Sequence, residues 1–388
     1  MSAKMKQLLV DVHTHIYLPR YAEVLRSRSN VPRIFRRPTV QGGTEERLLI
    51  LDNEPSGGRP VGSQYWDRQE KLNFMDKHGI DVSIVSSANP WIDFLSPEEA
   101  ALLATDLNND LEAYCALGPS LKVDPTRQRL YGFGLLPLVP GIESSVLLKT
   151  VKQVAELPHL RGVIMGTVGI GRGLDDEALE PVWSAIADTG LVIFLHPHYG
   201  VDGKAFGEKN NGHVLPLALG FPFETTIAVT RLILSGVFDR HPTLRLLLAH
   251  SGGALAQLSS RLASCIAHDP VVADRLEHDA RYYLGKIYYD AVAYGPEELS
   301  FVSEVISRSK GYASLKASAK DSAGHVNRTT GSKRMLFGTD HPFFPPLNET
   351  DKWKSVMENL EAIDGVHGWT EEDKEGVRGL NALELFDL

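Results

Sequence analysis

The stretch Leu8–Ile16, L-L-V-D-V-H-T-H-I, places two histidines at the end of a short apolar run. The run predicts a β-strand, in which side chains two positions apart point to the same face. His13 and His15 would therefore project their imidazoles into one space near the carboxyl end of the strand. Imidazole is the commonest protein ligand for transition metals, so the pair is typical of half a metal site. Two ordinary polar histidines at a strand end are the alternative, which the motif alone does not exclude.

Downstream of this strand, short apolar runs alternate with helical patterns. Further strands are predicted at Val82–Ser87, Leu130–Leu138, Leu160–Thr167, Leu191–His196, Leu244–His250, Ile287–Val292 and Met335–Asp340. Helices are predicted at Arg68–Gly79, Pro97–Leu117, Glu143–Leu157, Asp175–Thr189, Phe221–Ser235, Gly253–Ala267, Pro296–Ser307 and Glu349–Glu361. The strands are continuous apolar runs, as expected for a parallel sheet covered on both faces. Eight such units predict an α/β fold, a (β/α)8 TIM barrel. An open doubly wound sheet is the alternative, but the glycine-rich phosphate turn expected after its first strand is missing.

Two segments fall outside this alternation. A polar excursion at about residues 18–66 follows the first strand, and it predicts a lid, an inserted hairpin or a substrate loop. Its one strand-like run is Arg47–Leu51. The segment Ser309–Lys333 is rich in Ser, Lys and Gly and predicts an exposed insertion. We expect the whole chain, residues 1–388, to form one barrel domain.

Composition limits the partners and the compartment. The chain has 388 residues, 43% hydrophobic content and a formal charge of −9. This charge argues against a nucleic-acid binder that neutralises phosphates. Cys115 and Cys265 lie far apart, which fits a reducing compartment and no disulfide framework. The apolar run near the N-terminus is too short for a signal peptide or a membrane span, so we expect a cytoplasmic protein without membrane contact.

The residues that can perform chemistry lie at the predicted strand ends. In a barrel, the residues that perform chemistry lie at the carboxyl ends of the strands. Six of the fourteen histidines and one aspartate follow or end four of these strands, in the motifs His13-Thr-His15, His196-Pro-His198, His250-Ser-Gly-Gly and Asp340-His341-Pro342. This distribution predicts that the side chains converge at the barrel mouth.

These four motifs, in this order, resemble the amidohydrolase superfamily, and specifically its decarboxylase branch. That branch includes aminocarboxymuconate-semialdehyde decarboxylase, γ-resorcylate decarboxylase and isoorotate (5-carboxyuracil) decarboxylase. The resemblance spans nearly the whole chain. The long excursion and the stretch Tyr65-Trp66-Asp67-Arg68 are most similar to the fungal isoorotate decarboxylases.

The resemblance implies that His13, His15, His196 and Asp340 bind one divalent metal. Three imidazoles and a carboxylate suit Zn²⁺, and Mn²⁺ is the alternative. His250 would lie beside the metal and handle a proton, and Asp340, or an acid that it feeds, would protonate the substrate. A buried histidine with only a packing role is the alternative for His250.

The resemblance also implies substrate contacts. Phe343 resembles the aromatic residue that packs on the substrate ring. Arg68 and Asn89 are further candidates, because the second predicted strand and the helix before it place them near the pocket. Arg261 would reach the site of a neighbouring subunit and meet the substrate carboxylate, as part of a homodimer or larger homo-oligomer. His198 is a further candidate. The alternatives are a core phenylalanine, a solvated helix arginine and a packed imidazole.

The implied reaction is the non-oxidative decarboxylation of a cyclic carboxylic acid, with 5-carboxyuracil converted to uracil as the first choice. Hydroxybenzoates of the γ-resorcylate type and aminocarboxymuconate semialdehyde are the other substrate classes. The family's muconate decarboxylase keeps an arginine a few residues before the position of Trp66, where this chain has Gly62. A metal-dependent hydrolase of a lactone or cyclic amide is the rival enzyme class, because the same ligands could activate a water. A non-catalytic barrel with structural histidines is the remaining alternative.

Overall fold

The structure is a computed structural model that describes residues 8–39, 42–52, 54, 57–314, 331–346, 348 and 351–388. Its strands within these residues are β1 (Val10–Ile16), β2 (Arg33–Pro38), β3 (Thr44–Leu49), β4 (Arg59–Val61), β5 (Val82–Ser87), β6 (Leu130–Leu135), β7 (Leu160–Gly166), β8 (Val192–His196), β9 (Arg245–Leu248), β10 (Tyr288–Asp290) and β11 (Met335–Leu336).

Eight of these strands form one parallel sheet in the order β1-β5-β6-β7-β8-β9-β10-β11. The two edges meet, because the amide of Val12 donates to the carbonyl of Phe337 at 3.0 Å and Thr14 bridges His341 in parallel. Strands such as β6 and β8 are buried along their whole length, which explains their continuous apolar sequences. The predicted (β/α)8 TIM barrel with an insertion after its first strand is confirmed.

Within the described residues, eight helices cover the outside of the barrel. They are Arg68–His78, Pro97–Ala116, Ser144–Glu156, Glu180–Thr189, Phe221–Leu234, Leu255–Ala267, Pro296–Ser307 and Lys354–Gly365. Shorter helices occur at Pro19–Arg26, Val237–Arg240, Pro270–Ala273, Ala280–Leu284, Glu371–Glu375 and Asn381–Leu385. Local signals fix several ends: Ser96 and Glu99 form a capping box before Pro97–Ala116, and Gly79 ends Arg68–His78 with a φ of 72°.

Most barrel strands are shorter than their sequences predict, and two of them stop furthest before their predicted ends. The first, β6, ends at Leu135 instead of Leu138, and Pro137 has no N–H to continue the ladder. The last, β11, ends at Leu336 instead of Asp340. There the amides of Thr339 and Asp340 both donate to the carbonyl of His13, at 3.1 and 2.8 Å, and Asp340 has a φ of 55°. The chain thus turns at the site instead of extending the strand.

The excursion after β1 is a small layer of its own at the barrel mouth. It consists of the helix Pro19–Arg26 and an antiparallel sheet in the order β2-β3-β4. Ile34, Leu48 and Val61, one from each strand, are buried against the core. The strand-like run predicted at Arg47–Leu51 is β3, displaced toward the N-terminus. The layer brings β4 to the carboxyl ends of β1 and β5.

The segment predicted as an exposed insertion at 309–333 lies mostly outside the described residues. In its described flanks, Ser309, Tyr312 and Ser332 are buried. The helix predicted at Glu349–Glu361 is displaced to Lys354–Gly365, and Glu349 itself is outside the described residues. Within the described parts of the chain, one helical stretch, Pro216–Leu234, is long and apolar enough to cross a membrane, which is weak evidence on its own.

Candidate active site

Four side chains from two strand ends and one turn converge at the barrel mouth. The potential ligand atoms of His13, His15, His196 and Asp340 all lie within 4.8 Å of one another, and all four residues are buried. The Nε2 atoms of His13 and His15 are 3.0 Å apart and lie 3.3 and 3.5 Å from Oδ1 of Asp340. Tetrahedral zinc with bonds of 2.0–2.1 Å separates its ligands by about 3.3 Å. The cluster therefore has the donor set and the spacing of a metal site.

His196 independently indicates that the cluster binds a metal. Its Nε2 atom is buried and has no hydrogen-bond partner among the described residues. Such an atom costs free energy unless something binds it. A cation between the four side chains would satisfy it, so the residues present fit a divalent metal.

Each of the three imidazoles is held by a bond at its other nitrogen. Nδ1 of His13 lies 2.5 Å from Oδ2 of Asp290, and Nδ1 of His15 lies 3.0 Å from Oγ of Ser86. Nδ1 of His196 lies 2.7 Å from the carbonyl of Pro197. Partners of this kind fix the ring orientation and leave Nε2 for a metal.

Electrostatics at the cluster favour a positive charge. Burial lowers the pKa of His15 to about 4 and holds that of His196 well below its usual range, so both rings are neutral near pH 7. Burial also acts to lower the pKa of His13, but the carboxylates of Asp340 and Asp290 outweigh it and raise the value to about 10. Neutral imidazole is the form that binds metal, so a cation would take the place of the extra proton on His13, and the two carboxylates would compensate its charge.

His250 lies beside the cluster on the turn after β9. Its Nε2 is 3.8 Å from Oδ2 of Asp340, the oxygen other than the one near His13 and His15. The side chain is 17% exposed, and its backbone has a φ of 54°. Such backbone conformations in residues other than glycine concentrate at functional sites. One carboxylate thus faces the metal ligands with one oxygen and His250 with the other.

A comparison with known proteins identifies the family. The family model described as amidohydrolase matches residues 10–388. The chain belongs to the amidohydrolase family. The 2-amino-3-carboxymuconate-6-semialdehyde decarboxylase of Dictyostelium discoideum is 25% identical to it, over 99% of this chain and 92% of that protein.

Solved structures agree with this placement. The apo crystal structure of the Metarhizium anisopliae IDCase is 38% identical, with a TM-score of 0.82, and the match covers 98% of this chain and 97% of that one. A 5-carboxyvanillate decarboxylase from Novosphingobium aromaticivorans, solved with manganese, shares the fold at 18% identity and a TM-score of 0.69, over 99% and 97% of the two chains. The resemblance to the decarboxylase branch is confirmed.

Three of the predicted substrate contacts lie around the cluster of this amidohydrolase. The ring of Phe343 stands edge-on to that of His15, with centroids 5.5 Å apart. Asn89 is buried, and its Nδ2 donates to the carbonyl of His198 at 2.7 Å. The ring of His198 stacks on Tyr199 at 4.1 Å, and its Nε2 lies 3.6 Å from Asp93. Their substrate roles remain predictions.

The two predicted arginines lie elsewhere in the amidohydrolase chain. The guanidinium of Arg68 donates to the carbonyl of Tyr114 at 3.4 Å, on the outer helix Pro97–Ala116. Arg261 is exposed on the helix Leu255–Ala267. Neither arginine contacts the four-ligand cluster within the described residues, and both substrate roles remain predictions.

A different arginine, which sequence reasoning missed, lies beside Phe343. Arg59 comes from β4 of the inserted layer, and its guanidinium lies 4.5 Å from the centroid of Phe343. Its Nη2 donates to the hydroxyl of Tyr17 at 2.6 Å and to the carbonyl of Asn89 at 2.8 Å. Its buried Nε has no hydrogen-bond partner among the described residues. No periodic pattern marks this position. Arg59 lies only three residues before Gly62, the position compared above with an arginine of the muconate decarboxylase.

Three buried charged residues behind the ligands were also missed. Lys71 donates to the hydroxyl of Thr14 and lies 3.9 Å from Asp11. Burial lowers the pKa of Lys71 to about 8 and raises that of Asp11 to about 6. Asp290 ends β10 in an otherwise apolar predicted strand, and its position at a strand end was the signal available for it.

Proposed function

We propose that this protein is a metal-dependent decarboxylase that releases CO2 from isoorotate (5-carboxyuracil) and forms uracil. The observation that carries the proposal is the position of Arg59 and Phe343 beside the four-ligand cluster. An aromatic face, a cation and a metal site together suit a flat ring that bears a carboxylate. The 38% identity to the Metarhizium IDCase, an isoorotate decarboxylase, supports this choice of substrate.

The four ligands would hold Zn²⁺, and Mn²⁺ is the alternative. Three imidazoles and one carboxylate suit zinc. The manganese in the 5-carboxyvanillate decarboxylase favours the alternative. When bound, the cation supplies Lewis acidity toward the substrate carboxylate and the neighbouring C4 carbonyl oxygen.

The chain's own residues would position the substrate. Phe343 would pack on the pyrimidine ring, and the unpaired Nε–H of Arg59 would donate to an anionic oxygen of the substrate. A charged hydrogen bond of this kind contributes about 1.5–3 kcal/mol. Asn89 holds Arg59 through its carbonyl and so fixes the side of the pocket from which this charge acts.

Proton transfer would use Asp340 and His250. Oδ2 of Asp340, the oxygen that faces His250, would deliver a proton to C5 of the ring, and His250 would supply it. The bond from C5 to the carboxyl group then breaks. Its electron pair restores the C5–C6 double bond, and CO2 leaves. Imidazole is the side chain that most often transfers protons in enzymes.

We also propose that the active form is a homodimer or a larger homo-oligomer. Arg261 is exposed, and so are the apolar side chains of Phe223 and Ile227 on the helix Phe221–Leu234 and of Leu258 one turn before Arg261. A second copy that covers these side chains would remove them from water. A cytoplasmic location and the absence of nucleic-acid or membrane partners remain predictions.

The test is a substrate panel. The protein, loaded with Zn²⁺ or with Mn²⁺, is incubated with isoorotate and with 2,6-dihydroxybenzoate, and organic products and CO2 are both measured. We expect uracil and CO2 in equal amounts from isoorotate, and neither from the Asp340→Ala variant. Turnover of the dihydroxybenzoate alone would favour the γ-resorcylate class. A ring-opening reaction on cyclic amides without CO2 would favour the hydrolase and overturn the proposal.

A further inference from the structure

Asp290 is a buried carboxylate whose two oxygens are both occupied. Oδ2 accepts from Nδ1 of His13 at 2.5 Å and from the backbone amide of His250 at 3.0 Å. Oδ1 accepts from the backbone amides of Ser251 and Val292 at 2.8 and 3.1 Å. These four hydrogen bonds, two at each oxygen, hold the carboxylate in one orientation. It is not a member of the four-ligand cluster.

The bond to His13 determines which nitrogen can bind a metal. An ionised carboxylate accepts hydrogen bonds only, so Nδ1 of His13 must carry the proton. When the ring gives up its other proton to bind a metal, the lone pair of Nε2 points toward His15 and Asp340. Without the carboxylate, the proton could move to Nε2 and block the metal.

The bonds to His250 and Ser251 determine where the second functional histidine lies. Both residues have positive φ, 54° and 51°, which is unfavourable for residues other than glycine. The hydroxyl of Ser251 adds a bond to the carbonyl of Asp290 at 2.8 Å. These three bonds hold the strained turn that brings Nε2 of His250 to within 3.8 Å of Asp340.

We propose that Asp290 is a positioning residue that couples metal binding to the placement of His250. One carboxylate oxygen serves both histidines, so its loss affects the metal site and the proton supply together. The part of this inference that concerns turnover rests on the proposed function, whereas the part that concerns metal affinity does not.

The test uses Asp290→Asn, which keeps the size of the side chain but places a donor beside one of its partners. The metal dissociation constant is measured by competition with a chromophoric chelator, and kcat and KM for isoorotate are measured at saturating metal. We expect the dissociation constant to rise 10- to 100-fold. We also expect kcat to stay reduced at full metal occupancy with KM nearly unchanged, because Asp290 does not contact the pocket around Phe343. Asp290→Glu should recover part of both losses.

Ser86→Ala is the matched comparison, because it removes the Nδ1 partner of His15 but does not contact the turn of His250. It should weaken metal binding and reduce kcat at saturating metal less than Asp290→Asn does. Asp279→Asn, a buried carboxylate at the start of the helix Ala280–Leu284, should change neither value. Wild-type metal affinity in Asp290→Asn would overturn the inference, and so would full recovery of kcat by added metal. If the wild type does not release CO2 from isoorotate, the proposed function fails, and the chelator titration still decides the role of Asp290 at His13.

Discussion

The guanidinium of Arg59 lies 4.5 Å from the ring centroid of Phe343, although 284 residues separate them in the chain. One belongs to the inserted layer and the other to the turn after the last barrel strand. The insertion therefore does more than cover the barrel, since it supplies a cation to the mouth.

We predict that Arg59→Ala raises KM for isoorotate by about 10- to 100-fold, because a charged hydrogen bond to the substrate is worth about 1.5–3 kcal/mol. Steady-state kinetics at saturating metal measure this change. Arg36→Ala, in the same layer but with a side chain that is 77% exposed, is the control and should leave KM unaltered. An unchanged KM in Arg59→Ala would remove this residue from the pocket.

Metal removal should abolish turnover reversibly. The four ligands come from β1, β8 and the turn after β11, and they are buried, so the site depends on the folded barrel and not on one flexible loop. We expect dialysis against a chelator to eliminate CO2 release while far-ultraviolet circular dichroism remains native. Added Zn²⁺ or Mn²⁺ should restore CO2 release, and the metal that gives the higher kcat is the better cofactor. Full activity in metal-free protein, verified by elemental analysis, would disprove a metal-dependent reaction.

His250 should affect turnover more than metal binding. Its Nε2 lies near Oδ2 of Asp340, while the two other histidines lie near Oδ1. We expect His250→Asn to lower kcat by 100-fold or more, the usual contribution of a general acid or base, while the metal dissociation constant changes only a few-fold. Kinetics and chelator competition on the same preparation separate the two effects. Equal losses in both would assign His250 to the metal site itself.

The sequence predicts the barrel and the metal ligands well because both depend on local patterns. Apolar runs mark the buried strands, and histidines directly after those runs must lie at one end of a parallel barrel. Arg59 was not predictable in this way. Its approach to Phe343 depends on how an irregular antiparallel layer folds over the mouth, and no residue near it in sequence signals that contact. The sequence instead favours Arg68, nine residues later, as the substrate-binding arginine. The structure places Arg68 against Tyr114 on an outer helix.

Asp290 shows a second limit of prediction from the sequence. The sequence predicts a strand at Ile287–Val292, yet nothing in it connects the one charged residue of that strand with the histidines. Its partners, His13 and His250, are 277 and 40 residues away, and only closure of the barrel brings them together. The partners of metal ligands are thus harder to predict than the ligands.

Glu180 should contribute a pH-dependent part of the stability. Its carboxylate accepts from Nε and Nη2 of Arg240 at 2.7 and 2.9 Å and lies 2.8 Å from Nε2 of His241. Hydrogen bonds from Arg240 are the largest cause of a pKa of about 2, below the usual 4.5. A lowered carboxyl pKa stabilises the folded state above pH 4.5, and this stabilisation is lost as the pH falls toward 2.

We therefore expect Glu180→Gln to lower the free energy of unfolding near pH 7 by about 1 kcal/mol, since the pair is partly screened by solvent. The difference from wild type should shrink as the pH falls from about 4.5 toward 2. Urea unfolding at several pH values measures it, with Glu156→Gln, whose side chain is 67% exposed, as the control. A difference that is constant with pH would mean that packing, and not ionisation, is responsible.

Arg261 allows a test of whether the site is shared between two copies of the chain. It is exposed on the helix Leu255–Ala267, and no contact within the described residues brings it to the four-ligand cluster. We expect Arg261→Ala and Asp340→Asn to be inactive separately and to regain activity when the two variants are unfolded together, mixed and refolded. In a mixed dimer, the Arg261→Ala copy keeps its metal ligands and receives Arg261 from its partner, so one of the two sites is complete. Because about half of the dimers in an equal mixture are mixed, about one site in four is complete overall. Measured activity near a quarter of wild type, with a dimer or larger species by light scattering, is the expected result. No recovery in a mixture that forms mixed oligomers would show that Arg261 does not act across the subunit boundary.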